Sequence, residues 1–79
     1  MILTKIQQEK IRREFKLSNR EMDCLNAIFE GIVKDEEIAK ELKIDIRTAK
    51  QYLHSIYLKT RTGKKISTLL KCIELLGLR

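Results

Sequence analysis

Apolar residues return at intervals of three and four along the whole chain, and nowhere do β-branched residues alternate cleanly with polar ones. That period belongs to helices with one buried face, and proline, which would interrupt them, is absent. The expected fold class is therefore all-α. The three glycines, Gly31, Gly63 and Gly77, are left as the main punctuation, because glycine enters the left-handed conformation that ends a helix at little steric cost.

The clearest helix start is Leu17-Ser18-Asn19-Arg20-Glu21. There the Ser18 hydroxyl can accept from the backbone N–H three residues on while Glu21 reaches back, a complete capping box. Met22, Leu25, Ile28 and Phe29, with Cys24 at the edge, then give the inward stripe of a helix over about 19–30, closed by Gly31. Asp35-Glu36-Glu37 suits a second helix N-terminus, and Ile38, Ala39 and Leu42 make a face of barely two turns. Asp45 is the expected N-cap of a third helix over about 46–59, with Ala49, Leu53 and Ile56 inward. After a polar stretch, Ile66, Leu69, Leu70, Ile73, Leu75 and Leu76 mark a last helix ending near Gly77. Ile2, Ile6, Ile11 and Phe15 sit among five cations in residues 1–16, which read as a partial helix or a basic N-terminal arm, the helix favoured, preceding a domain over 17–79.

A chain of 79 residues holds one small domain and no large enclosed substrate cavity. With 43% apolar and 35% charged residues it has the balance of a folded protein rather than a disordered tail. No apolar run approaches the roughly 18 residues of a membrane span, and a cytoplasmic location is expected. Cys24 and Cys72 stand far apart without a CxxC or a histidine cluster, so they are expected to pack as small hydrophobes, with neither a disulfide nor a metal site. The single histidine, His54, has no carboxylate nearby in sequence to orient it. Neither an enzyme nor a cofactor-binding protein is indicated.

Charge is unevenly spread. Residues 1–16 carry a net +3, residues 17–45 a net −4 and residues 46–79 a net +7, and from Ile46 to Ile73 there is no acidic residue at all. An ordinary solvated face mixes signs, whereas a one-signed region directly after a helix-turn-helix is the footprint of a protein that neutralises phosphates. Within the third helix Arg47, Lys50, Gln51 and His54 fall at i, i+3, i+4 and i+7, a stripe pointing away from Ala49, Leu53 and Ile56. Arginine and lysine donate to guanine O6 and N7, and glutamine can pair with adenine, so the stripe has the chemistry for reading double-stranded DNA.

Leu17-Ser18-x-Arg20-Glu21-x-x-x-Leu25, Glu30-Gly31, Glu37-Ile38-Ala39-x-x-Leu42-x-Ile44, Thr48-x-Lys50, Ile56 and Lys59 together resemble the LuxR-type, GerE-like helix-turn-helix domain over about residues 17–78. The resemblance implies a four-helix bundle whose third helix enters the major groove and whose fourth makes a symmetric dimer contact. It places base-reading positions on Lys50, Gln51 and His54 and phosphate contacts on Thr48 and Lys59, while Arg47 is added by the stripe alone. It implies a bacterial transcription regulator. Lys34 stands where the family commonly caps its second helix with Ser or Thr, which passes that job to Asp35. Lys43 replaces the usual turn glycine, and Thr60-Arg61 replaces a common Leu-Gly.

The alternative function is a protein-interaction module, docking on RNA polymerase or another regulator as a sigma-region-4-like helix-turn-helix would. The last helix bears on both readings. Its Leu69, Cys72, Ile73 and Leu76 sit at i, i+3, i+4 and i+7 and are the expected homodimer surface.

Overall fold

The computed structural model describes residues 1–78, and its helices are α1 (Lys5–Phe15), α2 (Asn19–Phe29), α3 (Asp35–Leu42), α4 (Ile46–Thr60) and α5 (Lys65–Leu76). Among the described residues there is no strand, and no helix is long and apolar enough to cross a membrane. Helices α2, α3 and α4 pack on one another, α5 packs on α4, and α1 lies against both α2 and α5. A single core runs through them, from Ile11 of α1 through Leu25, Ile38, Ala49 and Ile56 to Cys72 of α5.

The boundaries of α2 follow local chemistry. The Glu21 backbone N–H donates to the Ser18 hydroxyl at 3.1 Å, and the Ser18 N–H donates to the Glu21 carboxylate at 2.7 Å. At the other end Gly31 takes φ 95°, and the Ile32 N–H returns to the Ala27 carbonyl at 2.9 Å, closing the terminus. Asp45 caps α4 by accepting from the Arg47 N–H at 2.7 Å.

Other expectations need correction. Of the two readings of residues 1–16 the structure has the helix and not the arm: α1 starts in a complete capping box between Thr4 and Gln7 and buries Ile11 fully. Leu3, just before it, is also buried, while Ile2 and Ile6 face solvent. The capping pattern matches the one read at Ser18, but it lies among charges that masked it. Asp35 does not cap α3. Lys34 occupies the cap position without a side-chain bond, and the Asp35 carboxylate instead accepts from Lys65 on α5 at 2.7 Å. Helix α4 runs to Thr60, within a residue of its expected end, and is capped by a left-handed Arg61.

That exit is fixed by hydroxyls. Thr60 donates to the Ile56 carbonyl at 2.8 Å and lies 2.9 Å from the Thr62 hydroxyl, which lies 2.6 Å from that of Thr68 on α5. Thr68 donates in turn to the Lys64 carbonyl at 2.9 Å. Thr60 and Thr68 are fully buried, a position polar side chains hold only when their hydrogen bonds are made.

Candidate nucleic-acid interface

Helix α4 has two unlike sides. Ala49, Leu53 and Ile56 are buried against α2 and α3, so the helix is gripped along its apolar edge. One hundred degrees per residue then carries Arg47, Lys50, Gln51 and His54 outward, and all four are exposed. The Arg47 side chain is 89% accessible, and its nearest carboxylate, Asp45, stands 3.9 Å away. Thr48 is half-buried at the flank of the ridge. The ridge continues toward the C-terminus as Leu58, an aliphatic side chain 66% exposed.

The surrounding cations divide into tethered and free. Lys59 donates to the Glu21 carboxylate at 2.7 Å, and that carboxylate is only 6% accessible. Burial pushes the Glu21 carboxyl up, but hydrogen bonds from Lys59, Ser55 and the Ser18 backbone outweigh it, and its pKa lies below the ordinary value. Lys59, which the family resemblance assigns to a phosphate, is thus first of all a strut between α4 and α2. Lys65 is bound to Asp35, and Lys71 donates to the Thr60 carbonyl at 2.8 Å, closing the C-terminus of α4. The run without acids from 46 to 73 is therefore less cationic in space than in sequence, since Glu21 and Asp35 reach into it from other helices. Among the described residues Lys50, Arg61 and Lys64 carry no such tie, and Arg47 has only its long contact to Asp45.

The surface expected on α5 shifts by a step. Cys72 has 0% exposure and belongs to the core of the protomer, so it cannot meet a partner. Leu69, Ile73 and Leu76 are half-buried, packed against that core, and the outward side chains are Ile66, 60% exposed, and Leu70, 43% exposed. A stripe of regular spacing does not say which of its neighbours point out; packing against α1 and α4 decides it.

Both thiols are sealed in apolar surroundings, and burial pushes Cys24 and Cys72 up to about 11, so both are neutral and poorly nucleophilic near pH 7. Glu21 was visible in sequence only as half of a capping box. Its partnership with Lys59 joins residues 38 apart and has no local signal.

Comparison with known proteins agrees with this geometry. No curated protein and no solved structure matches the chain. The family model described as "GerE: Bacterial regulatory proteins, luxR family" matches residues 16–71, which takes in α2, α3, α4 and the first half of α5 and leaves α1 outside. With most of its length covered by that match, the chain belongs to the LuxR family of bacterial regulatory proteins, whose GerE-type helix-turn-helix is a DNA-binding domain of transcription regulators.

Proposed function

We propose that the protein is a sequence-specific DNA-binding transcription regulator of the cytoplasm that sets α4 into the major groove. The observation that carries this reading is the exposed ridge Arg47, Lys50, Gln51 and His54 on a helix held rigid by its buried edge. Lys50, Gln51 and His54 read base edges, Arg47 reaches the first base or the adjoining phosphate, and Thr48 and Lys59 face phosphates at the flank. The Ile66, Leu69, Leu70 and Ile73 side of α5, at i, i+3, i+4 and i+7, supports pairing of two copies, which then contact half-sites about one helical turn apart.

Selection of bound sequences from a random duplex pool tests this reading. A recurring sequence motif is expected, and recovery of an unselected pool would overturn it. Lys50→Ala or Gln51→Ala should weaken the selected site by about 1 to 3 kcal/mol and relax preference at particular base pairs. If each subunit neutralises about four phosphates, log K against log salt for the pair should fall with a slope of about −7.

A further inference from the structure

Three helices end on a residue with positive φ that is not glycine, and each is a cation: Lys16 at 55°, Lys43 at 56° and Arg61 at 57°. A β-carbon makes this conformation unfavourable, and glycine adopts it freely. A positive charge at the carbonyl end of a helix offsets part of that strain in all three cases alike. Their positions differ. Lys43 opens the three-residue turn into α4 and Arg61 closes α4, so the two bracket the ridge, whereas Lys16 closes α1.

A helix of 15 residues is about 22 Å long at 1.5 Å per residue, and the major groove is only about 12 Å wide. Where such a helix crosses the groove obliquely, its ends come near the groove walls, where the phosphates are. Neither cation is already occupied: among the described residues the Lys43 and Arg61 side chains form no ion pair or hydrogen bond. This holds for Lys43 even though Asp23, Glu30 and Glu41 line the same groove between α2 and α3.

We propose that Lys43 and Arg61 are phosphate contacts, kept as cations in a conformation that glycine would relieve, one at each end of the groove-reading helix. The proposal rests on the DNA-binding reading of α4 and adds two contacts to it.

The test compares Lys43→Gly, Arg61→Gly and Lys16→Gly by thermal midpoint and by affinity for a random-sequence duplex between about 50 and 200 mM salt. All three should raise the midpoint, by about 4 °C each, because the strain is removed. Lys43→Gly and Arg61→Gly should nevertheless bind roughly three- to tenfold more weakly at the low-salt end and flatten the salt slope by about 0.9 per subunit, while Lys16→Gly keeps the wild-type slope. Lys43→Arg and Arg61→Lys, which keep the charge, should restore the slope. Lys43→Gly and Arg61→Gly variants that bind with the wild-type slope would overturn the proposal, whatever they do to the thermal midpoint. An equal flattening by Lys16→Gly would show that position around α4 is irrelevant. A wild-type protein that shows no salt-dependent binding would overturn the DNA reading itself, a result distinct from either.

Discussion

Glu21 carries two jobs at once: its carboxylate accepts the Ser18 N–H that starts α2 and the Lys59 ammonium that ties α4 to α2. A carboxylate 6% accessible is stable only while both bonds are made. Glu21→Gln keeps a capping side chain but leaves Lys59 without its counter-charge, and should lower unfolding free energy by about 1 to 2 kcal/mol. That is less than the 3 to 5 of a fully buried pair, because Lys59 itself is 36% accessible and screened by water. The sign with pH follows from the depressed pKa. The group stabilises the fold fully above its ordinary value of 4.5 and loses that contribution as pH falls through the lower folded value. Denaturant titrations of both proteins from neutral pH down into the acid range should therefore show the wild-type advantage shrinking below about pH 4.5. An advantage independent of pH would mean that the charge on Glu21 is irrelevant to the fold.

At the scale of the element, α1 is the feature that most changes the picture drawn from the sequence. Its Ile11 is fully buried in the same core as Leu25 and Ile56, so Ile11→Ala should remove about 2 to 4 kcal/mol, as for any large core truncation. A loss below about 0.5 kcal/mol in chemical denaturation would instead be the signature of a detachable arm. The starts and stops of α2, α3 and α4 were legible within a residue or so, because Ser18, Asp45 and Gly31 act on backbone groups within a turn of themselves. The start of α1 was written in the same code, at Thr4 and Gln7, but its mixed charges suited solvent equally well. The residue that caps the end of α4 was not legible. Arg61 adopts the left-handed conformation that Gly63 could have supplied, because the Thr60, Thr62 and Thr68 hydroxyls lock the junction to α5 earlier. The outward ridge of α4 was readable because helical period alone separates it from Ala49, Leu53 and Ile56. The tying of Lys59, Lys65 and Lys71 was not, since each partner lies on another element or a turn away.

Across the whole molecule, the acid-rich α2 and α3 hold a helix whose free cations face outward, and α1 covers one side of α5. What α1 leaves uncovered on α5 centres on Ile66 and Leu70. If two copies pair through this patch as proposed, Leu70→Asp should halve the mass seen by sedimentation or light scattering and lower DNA affinity, with little change in thermal midpoint because the side chain is 43% exposed in the protomer. A mass unaffected by the substitution would move the pairing surface elsewhere. The threonine joint gives that pairing a further property. In the proposed pair joined through α5, each α4 would be pinned to its own α5 and swing little about the junction, like the jaws of a caliper locked at one opening. An operator lengthened by a single base pair at its centre would then be mismatched in both reach and rotation, with no slack at the joint to absorb either.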